Sequence, residues 1–174
     1  MNKKIFLFFF LLLFLITGCT SKDPDKGVVT IKKPIENTVV GDSFKVLDNA
    51  EICTKDGKPI IRKFATTWCP HCKWIKQTYT DVINEYVAQD KIVAYLWNLD
   101  IGDDALTVKK ELVVPSFEKG IHQKFNPKSS IPTFVFGCKY VRIGNAFEQQ
   151  NDLAAEAAEF RAIIDRLLEE VENE

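Results

Sequence analysis

Trp68-Cys69-Pro70-His71-Cys72 constrains this 174-residue chain more than any other stretch. It follows an apolar run, Ile60 to Thr66, that reads as a strand. It precedes a segment in which Ile75, Tyr79, Val82, Ile83 and Tyr86 recur three or four apart, the spacing of a helix with one buried face. A cysteine at such a junction meets the helix's unpaired N–H groups and its positive dipole end, which favour thiolate over thiol. Pro70 suits the first helical position because its missing N–H would have no partner there. Cys72, one turn on, can close a small disulfide across the helix start, and thiolate is the attacking species in disulfide exchange. A zinc site would need about four ligands. No second Cys-x-x-Cys and no paired histidines accompany the motif, so no metal is expected.

The chain opens with Lys3 and Lys4, then twelve apolar residues from Ile5 to Ile16, then Thr17-Gly18-Cys19. This order predicts a secretory signal over residues 1–18. Twelve helical residues reach about 18 Å, short of a hydrocarbon core of about 30 Å. The Ile16-Thr17-Gly18-Cys19 ending resembles the lipobox of prokaryotic lipoproteins, which implies lipid on Cys19 and an outward-facing protein anchored to the cell envelope. Two acyl chains anchor stably where one is marginal. Residues 19–42, with Ser, Lys, Asp, Pro and Gly and no aromatics, read as a flexible tether, and residues 43–174 as the folded domain. Without Lys3 and Lys4 the chain carries 21 Lys and Arg against 24 Asp and Glu, a net of −3. That balance argues against nucleic acid as a partner.

Ser43 to Asp48 alternates, with Phe44 and Val46 on one side, and reads as a first strand. Asp56-Gly57 between two short extended runs predicts a hairpin turn. Ile92 to Leu96 is a buried strand; Asp103 to Leu112 and Ser116 to Phe125 read as two short helices parted by Pro115. Thr133 to Phe136 and Tyr140 to Ile143 flank Gly137-Cys138-Lys139 as a hairpin. Leu153, Ala157, Phe160, Ile163, Ile164, Leu167, Leu168 and Val171 make a final amphipathic helix. Strands and helices in this order predict a layered α/β domain.

Phe64-Ala65-Thr66-Thr67-Trp68-Cys69-Pro70-His71-Cys72 resembles the active-site strand and helix start of thioredoxin-fold oxidoreductases. Ile131-Pro132-Thr133 resembles that family's loop carrying a cis-proline beside the disulfide. The resemblance implies a thioredoxin fold, a central mixed β-sheet flanked by helices, with a short helical insert at about 101–126 before the cis-proline strand. It implies Cys69 as nucleophile and Cys72 as resolving thiol, with no cofactor beyond their disulfide. Trp68, packing over that disulfide, would line the substrate groove with Ile131 and Pro132. Between Cys72 and Pro132 lie 59 residues, more than in a minimal thioredoxin; envelope relatives of the TlpA and ResA type carry insertions in this region. The insert is too short for the helical domain of the DsbA oxidases, whose Cys-Pro-His-Cys motif the chain shares. Six residues before Cys69, where thioredoxins keep a buried acid that handles the resolving cysteine's proton, stands Lys63. It reads as a solvated side chain reaching outward or as a cation that tunes the redox pair with Pro70 and His71.

By the same layout Cys53 and Cys138 fall at the pole opposite the active site, where an envelope location permits a structural disulfide. Cys69 is expected to be the exposed thiol of its pair, with the His71 imidazole beside it stabilising thiolate. His122 reads as a surface residue. The function this implies is thiol–disulfide exchange with protein substrates, leaning to oxidation or isomerisation, by a monomer served by a membrane redox partner. Three other readings stay open: a reducing envelope thioredoxin, a module holding copper(I) on soft thiolates, and a groove that binds unfolded chains.

Overall fold

Lys58–Ala65 is the strand around which the rest is built. In the computed structural model, which describes residues 43–48 and 50–173, every residue of this strand from Pro59 onward is buried. A strand without a solvent face needs a layer on each side. We label the elements β1 Lys45–Val46, β2 Thr54–Lys55, β3 Lys58–Ala65, α1 Pro70–Val87, β4 Val93–Asn98 and β5 Asp103–Asp104, followed by α2 Ser116–Phe125, β6 Thr133–Phe136, β7 Tyr140–Ile143 and α3 Leu153–Glu172. The sheet runs β1-β7-β6-β3-β4-β5, with β2 pairing β3 beside this path. Only β3 and β4 pair in parallel, so the sheet is mixed.

Side chains alternate across a strand, and β3 and β6 use this to serve two cores. Ile61, Phe134 and Phe136 face α1 and α3, packing with Ile75, Tyr79, Ile83, Phe160 and Ile164. Phe64 and Val135 face the other way, toward Trp97 and Ile121 of α2. This is the layered plan that the thioredoxin resemblance implies, with α1 and α3 on one face of the sheet and α2 on the other. The helices follow the apolar periodicity: Ile75, Tyr79, Val82, Ile83 and Tyr86 are the buried face of α1, and Phe160, Ile163, Ile164 and Leu167 that of α3. The stretches expected to be signal and tether, and Cys19, lie outside the described residues.

Two expectations fail. Asp103 to Leu112 is not a helix: only Asp103–Asp104 is regular, and it pairs with β4 as an edge strand. The reason is competition from side chains for backbone donors. Asp104 Oδ1 accepts from Leu96 N–H at 2.8 Å and Leu106 N–H at 3.1 Å, and Asp103 Oδ1 accepts from Glu111 N–H at 2.9 Å. The insert therefore contains one helix, α2, and not two. His122, expected on the surface, is buried in α2 with its ring centroid 4.8 Å from that of Phe64, and burial lowers its pKa.

Arg142 on β7 organises the far side of the sheet. Its guanidinium reaches Glu156 at 2.6 Å and Glu159 at 2.5 Å, both buried on α3, and lies 4.7 to 4.8 Å from the ring centres of Phe44, Phe134 and Phe160. Ser43 N–H donates to Glu159 at 3.0 Å, so the start of the described domain is tied to the same pair.

At the pole away from the Cys-Pro-His-Cys motif, Asp56 and Gly57 turn the β2–β3 hairpin with φ of 54° and 75°, as a two-residue turn with both central residues left-handed requires. Cys53 N–H donates to Gly137 C=O at 2.9 Å, and a disulfide joins Cys53 to Cys138 across 85 residues of sequence. Gly137 has φ 58°, and a Cβ there would lie 2.5 Å from Leu167 Cδ2, so a side chain at this corner would force Leu167 to shift. A loop of that length constrains the unfolded chain by roughly 4 kcal/mol in the chain-entropy account. The Cys53→Ala/Cys138→Ala double variant should lose stability of about that size, read as the shift in urea unfolding under non-reducing conditions.

Candidate active site

The strand that ends at Ala65 delivers the chain directly to the first turn of α1. Cys69 is the N-cap of that helix, with extended backbone angles (φ −67°, ψ 121°), and Pro70 takes the first helical position. The Cys69 sulfur accepts the Cys72 N–H at 3.2 Å, so a helix-end donor points at it as a serine oxygen would be served in the same place. The preceding loop is pinned from the side. Leu99 N–H donates to Ala65 C=O at 2.8 Å, and the Asp100 carboxylate accepts the Thr67 N–H at 3.0 Å and the Thr67 hydroxyl.

Cys69 and Cys72 are free thiols, and each residue is only 3% exposed. The expectation that Cys69 alone is open to solvent is therefore corrected: the capping geometry tucks its sulfur inward over the helix end. The asymmetry between the two is chemical. Burial, followed by the hydrogen bond with Cys69, pushes the Cys72 thiol up to about 12.

Beneath the pair lies Lys63, 0% exposed. It is not the outward-reaching side chain that its charge suggested, because alternation on β3 sends it to the α1/α3 face along with Ile61 and Ala65. Its ammonium nitrogen donates to Cys72 C=O at 3.3 Å and sits 5.3 Å from the Tyr79 ring centre and 6.0 Å from that of Phe134. Burial lowers its pKa to about 7, against a smaller upward pull from Cys72.

His71 does not spend its ring on Cys69. Nδ1 lies 2.9 Å from both carboxylate oxygens of Glu148, and the side chain is 61% exposed. Asn145 Nδ2 donates both to His71 C=O at 3.0 Å and to Glu148 at 2.8 Å, and Trp74 Nε1 donates to Asn151 at 3.0 Å. The β7–α3 loop thus clasps the first turns of α1. It is held in turn by Glu156, which accepts the Ala146 and Phe147 N–H groups at 2.7 and 2.9 Å. Sequence reasoning missed Asn145, Glu148 and Asp100. The polar, turn-forming composition of 144–152 was the only available signal, and it does not say what a loop touches.

The Ile131–Pro132 peptide is cis, and Pro132 C=O accepts the Gly144 N–H at 2.8 Å. Ile131, Pro132, His71, Asn145 and Glu148 line an open pocket of about 440 Å³ beside the motif. Trp68 stands 67% exposed and does not line it, so the groove is built from the cis-proline loop and the β7–α3 loop without it.

The thioredoxin family model matches residues 43–118, which takes in β3, Lys63, Trp68 and both thiols but ends before Pro132. No curated protein and no solved structure matches the chain. Together with the topology, the family match makes the fold a thioredoxin fold. A cap made by sulfur has a direct consequence. Cys69→Ser keeps a good N-cap acceptor, whereas Cys69→Ala removes it, at a cost of about 0.5–2 kcal/mol. In thermal or urea unfolding of the reduced protein, the serine variant should therefore be the more stable of the two by that margin.

Proposed function

We propose that this protein is a membrane-anchored, extracytoplasmic thiol–disulfide oxidoreductase that exchanges disulfides with protein substrates through Cys69 and Cys72. The observation that carries this reading is the Cys69 sulfur capping α1 and accepting the Cys72 N–H, one turn from a second free thiol and beside a groove floored by a cis-proline. In oxidation, a substrate thiolate attacks the Cys69 sulfur of the Cys69–Cys72 disulfide, and Cys72 departs as thiolate and takes a proton. A second substrate thiol, deprotonated, then attacks the substrate sulfur of the mixed disulfide, and Cys69 departs as thiolate toward the Cys72 N–H. The substrate loses two electrons and the protein gains them. A disulfide-bearing partner at the membrane restores the pair. Isomerisation starts instead from the reduced pair: the Cys69 thiolate attacks a substrate disulfide and frees one substrate thiolate. Another substrate thiolate then attacks the substrate sulfur of the mixed disulfide and releases Cys69, with no net transfer of electrons.

The lean toward oxidation rests on charge. A stabilised thiolate stabilises the reduced protein and makes its disulfide the better oxidant. The side chain buried under the thiols is a lysine and not an acid, and its protonated form, favoured below its pKa of about 7, steadies anionic sulfur. His71 contributes less than its position suggested, because Glu148 answers its ring. Equilibration with glutathione should give a Cys69–Cys72 potential less negative than about −230 mV, above the thioredoxin value of about −270 mV. A potential at or below the thioredoxin value would make the protein a reductant.

Anchoring is the second part of the proposal. Mass spectrometry of the mature N-terminus should find an acylated Cys19, and Cys19→Ala should block processing or release the domain from membranes. An unmodified mature form that begins elsewhere would remove the anchor from this reading.

A further inference from the structure

Among the described residues, the lysine and arginine side chains that are buried are Arg62, Lys63 and Arg142, and of these Lys63 alone lacks an anionic partner. Arg62 is held by Glu118 at 2.7 and 3.0 Å, and Arg142 by Glu156 and Glu159. Lys63 has neither: among the described residues its one hydrogen bond goes to the Cys72 carbonyl. An ammonium has three donors to satisfy, and taking it out of water without a counter-ion is expensive.

What faces Lys63 narrows its chemistry. From α1 come Cys69, Cys72, Lys76 and the Tyr79 ring; from β7 comes Arg142; β6 offers Phe134 and β4 offers Leu96. The carboxylates of α3 on this face, Glu156 and Glu159, are committed to Arg142. The groups able to carry the negative charge that would steady a Lys63 ammonium are thus the two thiols. The relation is mutual. Cys72, buried over the same spot, is held as a thiol up to about 12, and Lys63 is held toward its free amine with a pKa of about 7. Passing one proton from sulfur to nitrogen turns two neutral neighbours into an ion pair.

The site also has an outlet. A pocket of about 180 Å³ is lined by Lys63, Cys72, Thr66 and Asn98, with the exposed Lys73 and Lys76 at its rim. At about 30 Å³ per molecule this volume has room for several waters. Most of its lining is apolar, and its polar contacts come from the Lys63 amine and from Thr66, whose buried hydroxyl has no hydrogen-bond partner.

We propose that Lys63 is the acid–base partner of Cys72, exchanging a proton with its sulfur as disulfides form and break at Cys69. When Cys72 resolves a mixed disulfide, the Lys63 amine takes the Cys72 proton. The thiolate then bonds to the Cys69 sulfur, and the substrate sulfur leaves with the electron pair of the broken bond. The proton passes out through the pocket. In the oxidising direction the Lys63 ammonium gives its proton to Cys72 as that sulfur leaves Cys69. This rests on the proposed exchange activity and deepens it by naming where the proton goes.

The test is rapid mixing of the reduced protein with excess dithiobis(nitrobenzoate), which releases two coloured thiolates. The first release scales with reagent and reports attack by Cys69; the second is independent of reagent and reports resolution by Cys72. Resolution in the parent should gain rate through an inflection near neutrality, far below the ionisation of Cys72 itself. Lys63→Met and Lys63→Gln should slow the second release at least about tenfold near pH 7.5, a threshold set below the roughly hundredfold or more typical of a lost acid–base group, and abolish that inflection. The first release should stay within a few-fold. A purely structural lysine would not place a neutral inflection in the second release alone. A parent profile that climbs steadily to pH 10 without one overturns the inference whether or not the variants fold, and so does an unchanged second release in folded variants. Loss of the first release in the parent would overturn the exchange activity and this inference with it.

Discussion

Two consecutive cations on a strand with no solvent face are the constraint on which this domain turns. The alternation of β3 sends Arg62 toward α2 and Lys63 toward α1 and α3. Each is desolvated, and each answers differently. Arg62 is met by Glu118 with two hydrogen bonds, and the pair fixes α2 against the sheet. Breaking such a pair strands a charge, which typically costs about 3–5 kcal/mol. Lys63 meets no carboxylate among the described residues and is pushed toward its neutral form by burial. One face of the strand therefore anchors the insert, and the other sets the charge under the thiols.

The second organising contact is Arg142 with Glu156 and Glu159, and its influence reaches the groove. Glu156 uses one oxygen for the arginine and the other for the N–H groups of Ala146 and Phe147. Those two amides lie between Asn145 and Glu148, the residues that grip His71. The position of the β7–α3 loop against the motif is thus decided inside the α3 core, about a helix turn from Phe160. Burial of the ion pair makes that placement firm, since no water competes for the lone pairs.

What could be read in the sequence was what local rules govern. The strand, N-cap cysteine and Pro70 at the first helical position follow from a short stretch, and the apolar spacing in α1 and α3 follows from the helical period. The Asp56-Gly57 turn is set by two residues. Asp103 to Leu112 defeated the same method because its acidic side chains take backbone donors that a helix would have used. His122 and Lys63 defeated it because polar type predicts exposure, while the packing of α2 on Phe64 and the double burial of β3 decide the outcome. Taking β3 as buried on both faces would have placed Lys63 inside by simple alternation with Ile61 and Ala65. Glu148 and Asn145 were beyond reach: they meet His71 from more than 70 residues away.

The two pockets at the motif divide the chemistry. One is lined by His71, Ile131, Pro132, Asn145 and Glu148, and the other by Lys63, Thr66, Cys72 and Asn98; they share no residue. Their separation follows from the helix. Cys69, at the cap, lies between strand and helix, two residues before His71, which lines the groove with the cis-proline loop. Cys72 is one turn into α1 and faces the sheet, where its carbonyl already engages Lys63. Equal exposure of the thiols therefore does not make them equivalent. In the proposed exchange, sulfur chemistry with a substrate belongs to the groove side, which His71 lines two residues after Cys69, and proton exchange to the side where Cys72 meets the amine. On the same proposal, a substrate seated in the groove leaves uncovered the separate pocket rimmed by Lys73 and Lys76, so a proton can leave while the mixed disulfide is still covered.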